Sequence, residues 1–315
     1  MLKNKTIFVM STLAIAISLG ACQPKQTEKQ EDSQQTQVDQ QKIELVGDRE
    51  KLSLNLPECK DKNCPELDIE RLSSNQKFID QVIDQKILEI LKEVVTLAPN
   101  EDHQENSASA VEASSALSVK DVKTPKMALE EKVAPYTKAF LDLDAEIKAL
   151  SANHSISLMI KPKILNSDGS LVTVVLNSSN YLGGAHGSSS QTYFNFDLDT
   201  QKQVTLSDIV EKDKLEQLDA KAYEAFKAWI VESEIATNID EYEQAWKFKL
   251  SDNFNLGKKG LILQYGEYEI GPYVVGLPRL VIPYDQLNGI IQAKYLPEST
   301  KVSNAASEVA TKETK

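Results

Sequence analysis

Basic charge is what this 315-residue sequence is short of: 35 Lys and Arg stand against 47 Asp and Glu, a formal net charge of −12. A chain of that sign is repelled by a polyanion, which excludes nucleic-acid binding. Histidine and cysteine are scarce too, with three of each. His103, His154 and His186 are isolated, without the paired spacing of zinc ligands, and nothing in the sequence asks for a metal or cofactor. Phosphate-cradling loops are missing, since no Gly-x-Gly-x-x-Gly opens a helix and no Gly-Lys-Ser/Thr occurs. Beyond the first twenty or so residues, no apolar run is long enough to cross a hydrocarbon core of ~30 Å.

What is present at the start is a leader. Lys3 and Lys5 precede an apolar run from Ile7 to Leu19, broken only by Ser11, Thr12 and Ser18. That is the length of a secretory signal rather than of a permanent membrane helix. Leu19-Gly20-Ala21-Cys22 resembles the bacterial lipobox, which implies removal of residues 1–21 and lipidation of Cys22 with palmitate-type chains. Ordinary cleavage that leaves Cys22 as a free thiol is the competing reading. Gln23, where Asp would favour inner-membrane retention, points to a periplasmic lipoprotein anchored in the outer membrane, with the inner membrane as the alternative. Loss of the leader removes two lysines and brings the net charge to −14. In an oxidising compartment, Cys59 and Cys64 form an even pair and are expected to make a disulfide. Half a zinc site and a redox pair are weaker readings, because further ligands are lacking and four residues rather than two intervene.

Residues 22–42 read as a disordered tether, with eight Gln from 23 to 42 and only Val38 as a branched apolar residue. Its reach is roughly 25 Å for twenty residues. Leu52, Leu54 and Leu56 alternate with polar neighbours and predict a strand from residue 50; a second is expected over 66–72. Ser73 and Gln76 read as a capping box for a helix whose Ile79, Ile83, Ile87, Ile90, Val94 and Leu97 form one stripe. Residues 99–124 predict a mobile loop. Thr124 and Pro125 then open a helix carrying Leu129, Val133, Tyr136, Phe140, Leu143, Ile147 and Leu150, which Pro135 should kink or break.

After residue 152 strands dominate. Ile156, Leu158 and Ile160 alternate, Asp168-Gly169 marks a turn, and 171–176 reads as a central strand. Thr192, Phe194, Phe196 and Leu198 alternate again, with a return strand at 204–206 and Ser207 capping a short helix. Leu215, Leu218, Ala222, Ala225 and Trp229 define a longer helix; 261–265 is expected to pair with 280–284, followed by a helix over 285–291 and a disordered tail over 297–315. Hairpins with segregated helices predict an α+β fold of antiparallel sheets packed against helices.

The stretch most suggestive of chemistry is Tyr181-Leu182-Gly183-Gly184-Ala185-His186-Gly187, followed by three serines. Strands flank it, so its glycines suit a wide hairpin with positive φ. His186 as a base for a neighbouring serine is the sharper reading, but no Gly-x-Ser-x-Gly elbow supports it. Tyr265, Tyr268, Tyr273 and Tyr284 form a second, aromatic region that either packs over the sheet or presents a recognition surface. Glu232, Glu234, Asp240, Glu241 and Glu243 make an acidic cluster whose simplest use is a solvated face.

These residues carry a resemblance. Tyr181, Gly183-Gly184-Ala185-His186, Asn195-Phe196-Asp197-Leu198, Thr200 and Thr205-Leu206-Ser207-Asp208-Ile209 resemble the domain of unknown function 3298, shared by RsiV-type anti-sigma factors and some peptidoglycan deacetylases. So do Gly260-Leu261, Tyr268 through Tyr273, Gly276 and Ile282-Pro283-Tyr284-Asp285-Gln286-Leu287. Gln201 stands where the family turn usually has glycine. The resemblance implies an RsiV-like C-terminal α+β domain over 181–296 and, over 43–180, the companion domain of unknown function 4163. RsiV-like proteins bind lysozyme outside the cell, but the transmembrane and sigma-binding parts of that machinery are not recognisable here. The deacetylases carry a separate metal-dependent domain whose His-x-x-x-His is also missing.

The expectation is therefore a non-catalytic periplasmic lipoprotein that binds an envelope component, such as peptidoglycan, or a lysozyme-like cationic protein. Tyr181, Gly183, Gly184, His186, Tyr268 and Tyr273 are its candidate binding residues. An envelope hydrolase using His186 and a structural envelope scaffold are the alternatives.

Overall fold

The computed structural model describes residues 44–60, 62–95, 123–150, 155–167 and 171–296. The leader, Cys22, the tether, Leu97, most of the 99–124 loop, the Asp168-Gly169 turn and the tail lie outside these residues.

The first half builds β1 (Gly47–Lys51), β2 (Glu66–Ser74), α1 (Lys77–Val94), α2 (Pro125–Ala149), β3 (Ser157–Asn166) and β4 (Leu171–Tyr181). With β5 (Ser188–Asp197) and β6 (Lys202–Val204) these strands form one sheet in sequential order. The α+β class holds, but one pair departs from the expected antiparallel arrangement: β2 and β3 run parallel, with Glu66 opposite Ser157. Parallel neighbours need a crossover, and α1 and α2 supply it. Ile79, Ile83, Ile87 and Leu91 of α1 are buried in a core shared with Ile69, Ile160 and Val174 of the strands. At about 1.5–3 kcal/mol for each fully buried branched side chain, that stripe is a main source of the docking energy of α1.

Several local expectations are corrected. The first strand ends at Lys51, earlier than the Leu52-Leu54-Leu56 alternation implied. Leu52 N–H still bonds Ile69 O at 2.9 Å, but Ser53 N–H turns to Glu130 Oε1 of α2 at 2.6 Å and Asn55 takes a positive φ, which ends the extended chain. No Ser73–Gln76 box opens α1; Asp80 instead accepts from Ser74 N–H and Oγ, and Ser74 Oγ accepts from Gln76 N–H. Thr124 does cap α2, accepting from Met127 N–H at 3.2 Å. Pro135 does not break that helix, because it faces solvent, where the Glu131 carbonyl freed by the missing N–H can be hydrated.

The second half contributes α3 (Leu206–Ile209), α4 (Leu215–Glu232), α5 (Ile239–Ala245), β7 (Phe254–Leu256), β8 (Gly260–Gln264) and β9 (Arg279–Pro283). The three strands form an antiparallel sheet with Leu261 opposite Ile282, and α4 packs on β9. Leu218, Ala222, Phe226 and Ile230 face a second core, so the buried stripe of α4 passes through Phe226 while Leu215 is exposed. Thr205, not Ser207, caps α3: its N–H and hydroxyl both bond Asp208 Oδ2, holding that carboxyl below the usual range. The expected helix over 285–291 is a 3-10 turn at Tyr284–Gln286; Gly289 at φ 69° then turns the chain so that Ile291 bridges to Val210.

The Cys59–Cys64 disulfide is formed, and Ser155 Oγ donates to Cys64 O at 2.6 Å, tying the loop to the approach of β3. A sequence separation of 5 closes a short loop, so replacing both cysteines by serine should cost about 2 kcal/mol by loop entropy. Urea unfolding of the oxidised protein and the variant checks this; a loss near zero or above about 4 kcal/mol would contradict it.

Candidate functional site

β6 covers only Asn195 to Asp197, so among the described residues most of the outer edge of β5 has no strand beside it. Bare edge amides and carbonyls are costly when buried and prone to mispairing when exposed. Here side chains from the second half take the place of a strand. Tyr273 OH donates to Gly187 O at 3.0 Å, and Ser189 N–H donates to Glu267 Oε1 at 2.8 Å. Asn253 closes the next two positions, its Nδ2 donating to Gln191 O at 2.7 Å and its Oδ1 accepting from Tyr193 N–H at 2.8 Å. The contacts fall on alternate residues because outward-facing groups of a strand repeat every second residue. Further along, Asn195 is 1% exposed and joins the two sheets: it accepts from Thr173 Oγ1 and donates to Phe254 O, each at 2.8 Å.

The aromatic cluster grows from one end of this clasp. Gly183 and Gly184 turn the β4–β5 hairpin at φ 83° and 120°, values that favour glycine, and Tyr181 OH donates to Gly184 O at 3.1 Å. The hairpin presents His186, whose ring stacks on Tyr273 with centroids 3.9 Å apart. His186 Nδ1 lies 3.0 Å from Gly187 O, which can only accept, so Nδ1 carries a proton. Nε2 lies 3.2 Å from Tyr268 OH, and in the neutral ring it accepts that hydroxyl proton. Tyr268 itself sits at φ 63°, strained for a residue with a side chain, and stands 50% exposed beside Tyr273 at 5.8 Å. Val274, at the tip of the same loop, is 87% exposed.

All six residues singled out in the sequence therefore lie at the hairpin tip or in the loop facing it. Glu267 and Asn253 were not singled out, because nothing in their local sequence signals a partner strand. The serines after His186 are not its partners: both ring nitrogens are engaged elsewhere, and Ser190 Oγ bonds Ser178 Oγ at 2.8 Å. Tyr265 and Tyr284 part from the other tyrosines. They are core residues that donate to Lys249 O and Gly257 O, and burial pushes the Tyr284 hydroxyl up to about 12. Among the described residues, no group of three or more His, Cys, Asp or Glu is arranged to hold a metal ion, and no helix is long and apolar enough to cross a membrane.

Residues 207–285 match the family model described as "Protein of unknown function (DUF3298)". Over 174 residues the chain is 25% identical to the peptidoglycan-N-acetylmuramic acid deacetylase PdaC of Bacillus subtilis, covering 54% of this chain and 36% of that protein. The chain thus spans little more than a third of the length of that relative. A crystal structure of a DUF3298 family protein from Pseudomonas aeruginosa PAO1 superposes with a TM-score of 0.55 at 22% identity, covering 80% of this chain and 95% of the other. A member from Bacteroides fragilis NCTC 9343 gives 0.50 at 18% identity, covering 79% and 93%. At these identities the likeness is one of fold. The chain carries a DUF3298 domain, set in an α+β architecture that it shares with solved proteins of that family.

Proposed function

We propose that this is a non-catalytic lipoprotein, acylated at Cys22 and held in the outer membrane, whose hairpin-tip surface binds an envelope component or a lysozyme-like cationic protein. In this reading the first half is the RsiV-like companion domain and the DUF3298 region carries the recognition loop. The observation that carries it is the exposure of Tyr268 and Val274 on a loop fixed in place by the clasp. Rigid tyrosines on a preorganised support suit a binding hot spot, and an acidic chain attracts a basic partner whose Lys and Arg can lie over tyrosine faces. Both His186 nitrogens are occupied, which favours positioning over proton transfer.

Calorimetry with the full chain in detergent, titrated at low salt with lysozyme and with soluble peptidoglycan fragments, tests the proposal. Binding by one of them, weakened about 30-fold or more by Tyr268→Ala, is expected. No heat from either removes both ligands. The likeness to a peptidoglycan deacetylase favours a second reading, envelope hydrolysis through His186. Release of acetate from peptidoglycan that His186→Ala abolishes would replace the binding proposal with that one.

A further inference from the structure

A groove of about 820 Å³ runs between α1 and β5, away from the hairpin tip. Its α1 wall is a second stripe, Phe78, Gln81, Val82 and Gln85, offset from the buried isoleucines. Opposite stand Tyr193 of β5, Gln201 of the β5–β6 turn and Gln203 of β6. Charge is largely neutralised within the groove: Lys86 is paired with Glu89 at 3.1 Å, leaving Asp252 as a carboxylate without an ion-pair partner among the described residues. The amides of Gln81, Gln85, Gln201 and Gln203 bond no other group among the described residues. Gln201 adds a separate observation. It holds φ 52°, a conformation glycine would adopt without strain, and so keeps an amide at the groove at a conformational cost.

We infer that this groove binds an uncharged oligosaccharide. Each amide offers both donors and an acceptor, as a sugar hydroxyl does, and aromatic rings offer flat apolar faces for the C–H side of a pyranose. Other occupants fit less well. An ionic ligand finds little net opposite charge. An added β-strand finds the β5 edge already closed by Asn253 and Glu267, and an amphipathic helix finds too few apolar anchors on α1. The volume lies within the range of small-ligand sites.

The test titrates the full chain in detergent with two neutral tetrasaccharides, β-1,4-linked N-acetylglucosamine and β-1,4-linked glucose. Saturable binding of at least one, with Kd of about 1 mM or tighter, is expected. Binding of the acetylated sugar alone would mean that the amides read its acetamido groups; binding of both would mean that hydroxyls and ring faces suffice. Gln81→Ala with Gln203→Ala should weaken binding at least about tenfold with thermal unfolding unchanged. Gln201→Gly, which relieves backbone strain, should weaken binding without loss of stability. Tyr268→Ala should leave sugar binding intact, and the glutamine variants should leave lysozyme binding intact, so this inference and the hairpin-tip proposal fail separately. No saturable binding of either sugar at about 1 mM, glutamine variants that bind like the parent chain, or loss of sugar binding in Tyr268→Ala would overturn it.

Discussion

Replacing Arg71 by alanine is expected to cost about 3–5 kcal/mol, a large part of the 5–15 kcal/mol that typically separates a folded domain from its unfolded chain. Arg71 is 3% exposed on β2. Its Nη2 bonds Asp84 Oδ2 of α1 at 2.9 Å, its Nε adds a second bond to Asp84 Oδ1 at 3.1 Å, and its Nη1 reaches Glu50 of β1 at 2.9 Å. One guanidinium thus ties a helix to two strands. Burial opposes its charge, but the hydrogen bonds to Asp84 and Glu50 outweigh that and raise its pKa. Asp84 shows the other side of the balance: burial pushes its carboxyl up, and Arg71 only partly offsets the penalty. Removing Arg71 strands that carboxylate. Changing Arg71 to Met together with Asp84 to Leu removes both charges, and should recover most of the loss. Urea denaturation of the two variants separates the cases; equal destabilisation would mean that packing, not the stranded charge, sets the cost.

Asn195→Ala should lower stability by roughly 2–5 kcal/mol, because it leaves the Thr173 hydroxyl and the Phe254 carbonyl without their partner in a buried site. The cavity left by the amide adds to this. Since Asn195 joins the sheets, hydrogen exchange should rise first in β7 and β8 rather than in β3 and β4. Uniform loss of protection would show that the joint is not local. Asn195→Asp, which preserves the shape but replaces the donor to Phe254 O with a buried carboxylate, should be at least as harmful.

Helices were the most legible part of the sequence. The isoleucines of α1 repeat at helical spacing because one face is buried, and Thr124-Pro125 marks the start of α2 through cap chemistry that depends only on neighbours. Pairing was much less legible. The alternation of β2 and β3 does not say that they run parallel, since direction is set by the helical crossover between them. β7 is three residues long, too short for a period to show. Leu52, Leu54 and Leu56 misled because Glu130, remote in sequence, captures the Ser53 amide. At the candidate site, the Gly183-Gly184 turn was readable from residue type. The stacking of His186 on Tyr273 was not, because it depends on how a hairpin and a loop some 86 residues apart are brought together, and the clasp that does so bonds β5 through its backbone.

That clasp has a consequence for how the polypeptide is made. The groups that close the β5 edge lie at positions 253, 267 and 273, so a chain emerging in N-to-C order completes β5 long before its partners exist. Through that interval the nascent protein carries an open strand edge, the feature most apt to recruit another copy. Escape from aggregation during synthesis then turns on how long the last quarter of the chain takes to arrive.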